Sequence, residues 1–330
     1  MNEKNQQQKI VPSTATGLHV DILSEKDLGD LHESTLQTLE KTGLFIDYTA
    51  ALDCFEKAGA RVDRNSSIVK IPAQLVEDAI QSAPSKVLLA GRDPKHDLVL
   101  GERRVHFTNF SEGVKINDPY TGENRSPVKK DLANAARVID YLDEIDFCEK
   151  AIGAHDVPQE TVPLHNAEAF LTNTTKHCAF GPGNGKLLKK IMEMAAVIVG
   201  GAKRLAERPI VSFTTCPVSP LKLISECCEI IMASARNNVV CNILSMAMAG
   251  ATSPATLAGT LVTHNAEILG GITLSQLTRK GAPVIYGSST TAMDLKLAEA
   301  SVGTPECALI SGAVARLARY YALPSYVAGG

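Results

Sequence analysis

Pro209-Ile-Val-Ser-Phe-Thr-Thr-Cys216, Val239-Val-Cys-Asn-Ile-Leu-Ser-Met246 and Pro283-Val-Ile-Tyr-Gly-Ser288, separated by residues 219–236 and 253–279, form the stretch from which the fold can be read. Short apolar runs rich in β-branched residues alternate with amphipathic segments of helix length. That is the pattern of a parallel sheet buried on both faces. Working outward, the same alternation predicts strands at 105–110, 146–153, 177–181, 209–216, 239–246, 283–288 and 324–328. Helices are expected near 127–142, 160–175, 185–199, 219–236, 253–279 and 305–321. Ser126-Pro127, Ser219-Pro220, Ser253-Pro254 and Thr304-Pro305 each offer a capping hydroxyl followed by proline, the expected start of four of these helices.

This order predicts an α/β chain of the (β/α)8 TIM-barrel type, truncated after strand seven. A complete barrel takes roughly 250 residues or more, and residues 105–330 fall short of it by about one βα unit. A doubly wound open sheet is the alternative, but no G-x-G-x-x-G turn follows an early strand. Residues 1–104 are expected to form a small α+β region with a flexible lead, ahead of the main repeat at 105–330. Leu28, Leu31, Leu36 and Leu39 share one helical face over 25–42, with Gly43 closing the helix. A strand at 44–46, a helix ending at Gly59, a strand at 68–71, a helix over 72–81 and a strand at 86–90 complete the region.

The 330 residues, 45% of them apolar, can bury a large core. With a net charge of −3 and charges of both signs scattered along the chain, the sequence points away from nucleic acid and from a polybasic membrane surface. No apolar run reaches membrane-spanning length, and the polar start lacks the apolar core of a signal peptide. None of the eight cysteines forms a C-x-x-C pair, which suits a reduced, cytoplasmic protein without a structural zinc site. His264 and Glu267 stand one helical turn apart without an evident third ligand and are expected to be structural.

The segment Gly250-Ala-Thr-Ser-Pro-Ala-Thr-Leu-Ala-Gly-Thr-Leu-Val-Thr-His-Asn-Ala-Glu-Ile-Leu-Gly-Gly271, followed by Gly281-Ala-Pro-Val-Ile-Tyr-Gly287, resembles the trimethylamine–corrinoid methyltransferase family, which includes glycine betaine relatives. The ending Tyr320-Tyr-Ala-Leu-Pro-Ser-Tyr-Val-Ala-Gly-Gly330 looks like the stretch just before the position that, in the trimethylamine enzymes, holds pyrrolysine encoded by an in-frame amber codon. The resemblance implies a (β/α)8 barrel and transfer of a methyl group from trimethylamine to a cobalt corrinoid on a cognate partner protein. No cofactor would be bound by the chain directly, and the full-length protein would be a homo-oligomer. It also implies that the present chain lacks the pyrrolysine expected immediately after Gly330 and is inactive. A glycine betaine-type fragment and a non-catalytic binding or assembly product are the alternatives.

Catalytic groups of a βα-barrel sit at the C-terminal ends of its strands, and the candidates are chosen there. Glu112 is read either as a carboxylate facing an ammonium or as a solvated loop acid. His155 is an acid–base candidate or a loop anchor. Phe110, Thr214, Thr215, Tyr286 and Ser288 are pocket candidates. Tyr286 would offer a π face to a methylated cation or pack as a core residue. Thr214 and Thr215, with Cys216, would line a pocket or bond to backbone. Met246 and Met248 are expected to pack in the core. Gly329 and Gly330 would let backbone and cofactor approach closely. The turn Gly181-Pro-Gly-Asn-Gly-Lys186 is not a Walker A loop, because Phe180 stands where its first glycine belongs. It is read as a rim contact or a plain tight turn.

Overall fold

Helix α1 (Glu25–Gln37) opens on a reciprocal cap in the computed structural model, which describes residues 22–101, 105–111 and 113–328. Ser24 Oγ accepts the Asp27 N–H at 3.2 Å and the Asp27 carboxylate accepts the Ser24 N–H at 2.9 Å, satisfying two amides that the helix leaves unpaired. Leu28, Leu31 and Leu36 are buried along its inner face, as expected from their spacing. Strand β1 (Leu44–Ile46), helix α2 (Thr49–Lys57), strands β2 (Arg61–Asp63) and β3 (Ile68–Lys70), and helix α3 (Ala73–Ser82) follow. Next come the hairpin β4 (Val87–Leu89) with β5 (Leu98–Leu100) and the two-residue pair β6 (Ile116–Asn117) with β7 (Asn124–Arg125).

The main repeat then runs α4 (Lys129–Tyr141), β8 (Cys148–Glu149), α5 (Val162–Asn173), β9 (Cys178–Phe180), α6 (Gly185–Val199), α7 (Ala202–Glu207) and β10 (Val211–Thr215). It continues through β11 (Lys222–Leu223), α8 (Ser225–Asn237), β12 (Cys241–Ser245), β13 (Met248–Ala249), α9 (Leu257–Thr278) and β14 (Val284–Ser288). β15 (Thr291–Asp294), β16 (Glu299–Ser301), α10 (Pro305–Tyr320) and β17 (Ser325–Val327) close it. The large sheet has the order β17-β14-β12-β10-β9-β8, with every neighbouring pair parallel. Strands that neighbour one another in chain order are wound always the same way. A doubly wound sheet would reverse direction at a switch point, and this sheet does not. It curls instead: Tyr326 Oη on β17 lies 3.2 Å from Glu149 Oε2 on β8, so side chains of the two outermost strands meet across the concave side. The result is a curled parallel half-barrel.

Two sequence expectations change. The strand expected at 105–110 is an extended segment that joins β8 by a single bridge, Thr108 to Phe147. Its remaining pairing is done by a side chain. The Asn109 amide takes both the N–H and the carbonyl of Glu149, each at 2.9 Å, where a regular strand would have used backbone. Of the four expected caps only Thr304 works as such, its hydroxyl accepting the Cys307 N–H at the start of α10. Ser219-Pro220 is a cis peptide well before α8, α9 is capped by Thr256, and α4 starts at Lys129 with Asp131 accepting the Val128 N–H. A hydroxyl followed by proline also occurs in turns and loops: Ser219-Pro220 lies in a turn, and Ser126-Pro127 lies in an irregular stretch before α4. The N-terminal region shares its core with the half-barrel: β1 pairs in parallel with β11, and one apolar core runs from Leu28 to Leu323.

Helix α9 holds the two together. It is buried along almost its whole length, from Thr260 to Gln276, between the outer face of the sheet and helices α1 and α3. Helices that are apolar all round belong in such places. Gly270 and Gly271 allow the fit. A Cβ on Gly270 would sit 2.1 Å from Leu44 Cδ1, and one on Gly271 would sit 3.0 Å from Ile243 Cγ2. At the opposite end of the assembly the β4–β5 hairpin plugs the bottom of the half-barrel. Val87, Leu89 and Leu98 pack there against Phe147, Ala179, Val240 and Ile285 of the concave face.

Candidate functional site

Side chains alternate between the two faces of a strand, and the contacts fix which face is which. On β14, Val284 and Tyr286 pack into the main core toward the helices, whereas Ile285 joins the concave cluster. On β12, Cys241 and Ile243 point outward, so Asn242 and Leu244 point in. On β10, Val211 and Phe213 point outward and Thr214 points in, where its hydroxyl lies 3.4 Å from Asn242 Nδ2. Cys216 and Met246 continue the inward series past the strand ends and are exposed, Met246 by half, so the concave face opens to solvent at the C-terminal end. Core packing was the expectation for Met246, and the open mouth is why it fails.

The expected site residues divide accordingly. Thr214 lies on the concave face. Thr215, Tyr286 and Ser288 are turned away from it: Thr215 reaches Cys227 of α8, and the Ser288 hydroxyl accepts the Thr290 N–H at 3.1 Å. Tyr286 is fully buried against α9, its hydroxyl donating to Asn265 Oδ1 at 2.7 Å. It therefore presents no ring face to the mouth. Phe110 is 71% exposed on the rim and His155 is exposed in the loop after β8, where its backbone N–H bonds to the Pro127 carbonyl. Neither meets Thr214. Glu112, Gly329 and Gly330 lie outside the described residues. The turn at 181–186 caps α6: Asn184 Oδ1 accepts the Leu187 N–H and Glu229 accepts the Gly185 N–H, each at 3.0 Å.

His264 and Glu267 both sit on α9 behind the sheet. Glu267 accepts from Ser219, Ser245 and the Leu221 N–H, tying the loop after β10 to the end of β12. His264 bonds through Nδ1 to Thr290, and burial drops its pKa to about 3. No group of three or more His, Cys, Asp or Glu is placed to hold a metal ion among the described residues. No described helix is long and apolar enough to cross a membrane.

The group that sequence reasoning passed over is Glu149. It ends β8 on the concave face, only 7% exposed, and its one hydrogen-bond partner among the described side chains is Tyr326. Burial pushes its carboxyl up to about 7, with the Tyr326 hydroxyl pulling weakly the other way. Burial and the neighbouring acid together raise the Tyr326 hydroxyl, which stays protonated and donates. A layer deeper, His177 donates from Nδ1 to the Ala90 carbonyl and accepts at Nε2 from Ser212, and burial takes its pKa down to about 4. It is neutral and fully engaged. Asn242 Oδ1, in contrast, is buried with no partner. Gly287 makes room for it, since a Cβ there would stand 2.2 Å from that oxygen. A signal for Glu149 was present: an acid in step with Phe147 and Ala151 on one face of the expected strand 146–153.

The model of the family described as trimethylamine methyltransferase matches residues 1–330. The chain belongs to that family. It is 52% identical over 307 residues to a trimethylamine methyltransferase of Desulfitobacterium hafniense, covering 93% of this chain and 62% of the relative. It is 41% identical over 318 residues to the Methanosarcina barkeri protein of the same name, covering 95% and 64%. A glycine betaine methyltransferase of Desulfitobacterium hafniense is 32% identical over 312 residues, covering 94% and 64%. The chain thus spans less than two thirds of the length of these curated relatives. Among solved structures, the Methanosarcina barkeri monomethylamine methyltransferase shares the fold with a TM-score of 0.53 at 14% identity, covering 91% of this chain and 65% of that one.

Proposed function

We propose that the chain is the N-terminal part of a trimethylamine:corrinoid protein methyltransferase, and that the open concave face holds the amine. The observation that carries this reading is the Glu149–Tyr326 pair at the mouth of the half-barrel, in a chain whose whole length belongs to the family. A small methylated cation calls for a dry carboxylate, and the buried Glu149 on the concave face offers one. The methyl acceptor would be a cobalt corrinoid on a cognate partner protein; its electron pair would take the methyl group as the C–N bond breaks, and dimethylamine would leave with that bond's electrons. Phe110, Met246 and Leu295, which follow the ends of three different strand segments on the mouth side, are exposed and would meet that partner. The remainder of the family barrel, including pyrrolysine immediately after Gly330, would complete the site; this rests on the resemblance of residues 320–330. The higher identity to the trimethylamine enzymes than to the glycine betaine relative favours trimethylamine as the substrate.

The experiment is methylation of the corrinoid partner by the full-length gene product, with trimethylamine and glycine betaine offered in parallel. Turnover with trimethylamine supports the reading, and turnover confined to betaine overturns it. The codon after that of Gly330 tests the pyrrolysine assignment directly, since any ordinary sense codon removes it. In the same assay the 330-residue form should be inactive.

A further inference from the structure

We propose that Glu149 is the acceptor for the N–H of a tertiary ammonium ion, and that it is the residue by which this mouth prefers tertiary over quaternary methylated amines. This rests on the function proposed above and deepens it by naming how the substrate class is chosen.

Four observations converge. First, Glu149 is held rigidly by its backbone, between Asn109 on one edge (2.9 Å to each backbone group) and β9 on the other, in register with Ala179. A carboxylate so mounted is preorganised. Second, its neighbours leave it free to act. Tyr326 from β17 donates one hydrogen bond at 3.2 Å, Asn109 is spent on backbone, Ala179 has nothing to offer, and His177 is neutral and occupied. The carboxyl's pKa is set by burial and by the Tyr326 hydroxyl bonded to it. Third, the carboxyl is nearly dry, where a charge-assisted hydrogen bond is strongest. Fourth, Asn242 Oδ1 on the concave face of β12 is a buried acceptor without a donor. Such an oxygen suits the electropositive methyl groups of a methylated ammonium, which need no N–H.

The chemistry then separates the two classes. Trimethylammonium and tetramethylammonium carry the same charge and similar methyl surfaces, but only trimethylammonium has an N–H. A carboxylate attracts both and hydrogen-bonds one. The missing bond is worth roughly 10-fold or more in affinity, the factor that one charge-assisted hydrogen bond supplies. A cation also binds the ionised carboxylate and not the acid, so affinity should rise as pH increases through the Glu149 titration.

The test uses the full-length protein and calorimetric titration with trimethylammonium chloride and tetramethylammonium chloride from pH 6 to pH 8.5. Wild type should prefer trimethylammonium by about 10-fold or more at pH 8. Glu149→Leu should bring the ratio to within about 2-fold of unity, the charge and the acceptor being gone together. Tyr326→Phe should keep the preference and move the pH midpoint of trimethylammonium binding upward, because the hydroxyl that favours the carboxylate is lost. If Glu149→Leu fails to fold, the Tyr326→Phe midpoint and the isosteric Glu149→Gln carry the test. Gln keeps an acceptor but should abolish the pH dependence. A wild-type ratio near one, an unchanged ratio in Glu149→Leu or an unmoved midpoint in Tyr326→Phe overturns the proposal. Trimethylamine turnover alongside any of those results would leave the methyltransferase reading standing, whereas absence of turnover would sink that reading instead.

Discussion

The two faces of the curled sheet carry similar polar residues and treat them in opposite ways. On the outer face Tyr286, Asn265, Thr35 and Tyr321 form a closed set. Asn265 accepts from Tyr286 at 2.7 Å and donates to Tyr321 at 2.8 Å and to Thr35 at 2.9 Å. His32 extends the set, bonding Tyr321 on one side and Glu77 on the other. On the inner face, among the described residues, the Glu149 carboxylate has one hydrogen-bond partner and Asn242 Oδ1 has none; outside that closed set the outer face also holds an unpaired atom, His264 Nε2 on α9. Buried polar groups that are fully paired specify a fold, and those left wanting a partner need another explanation. The outer network is structural, and the inner set is where we propose that the ligand binds.

The largest effect on stability should therefore come from the outer face. Asn265→Ala removes the partner of three buried hydroxyls at once and should destabilise the protein by about 3 kcal/mol or more. Differential scanning calorimetry should show a fall in Tm of roughly 5 °C or more. Survivors of the fold should retain their affinity for trimethylammonium, and a selective loss of affinity without a change in Tm would break the division between faces.

Glu149 makes the inner face a burden on stability at high pH. Its carboxyl titrates near 7 in the folded protein against an ordinary value of 4.5, so the native state holds the proton longer than the unfolded chain. Its contribution is complete below about pH 4.5 and is lost as pH rises through about 7, by up to about 3 kcal/mol. Glu149→Gln should match wild-type stability at pH 4 and exceed it at pH 8 in denaturant titrations. Equal pH dependence in the two proteins would show that the acid is solvated and not buried.

A smaller effect separates two adjacent residues. Thr214 and Thr215 differ only in which way they point. Thr214→Val should weaken trimethylammonium binding a few-fold with Tm unchanged, because Asn242 loses its only nearby side-chain partner. Thr215→Val should shift Tm slightly, by about 1 kcal/mol or less, and leave binding alone.

Much of the fold was legible before any coordinates. Helix α6 occupies the expected 185–199, and the parallel strands other than the first fall inside their expected ranges. Their faces were not legible. A parallel strand buried on both sides reads as a continuous apolar run, so choosing Tyr286 and Ser288 from a strand end carried no information about direction. The strand expected at 105–110 is not a regular one, because a side chain, Asn109, replaces the backbone ladder, and no periodicity signals that. The small sheet β13-β15-β16 at the mouth was missed because its strands are only two to four residues long. Glu149 could have been found by counting in twos from Phe147. It was overlooked because the search began at strand ends and loops, and this acid lies within the expected strand.

One hydroxyl removed from each face tests the central claim most directly. Tyr286→Phe and Tyr326→Phe are the same chemical change, on neighbouring strands, pointing opposite ways. In the full-length protein, Tm and the pH profile of trimethylamine-dependent methylation are measured for both. Tyr286→Phe should lower Tm, costing about 1–3 kcal/mol of stability as Asn265 Oδ1 loses its donor, with the pH profile unmoved. Tyr326→Phe should leave Tm within a degree or so and shift the profile to higher pH. A shifted profile in Tyr286→Phe with an unshifted one in Tyr326→Phe would contradict the assignment of the concave face as the site.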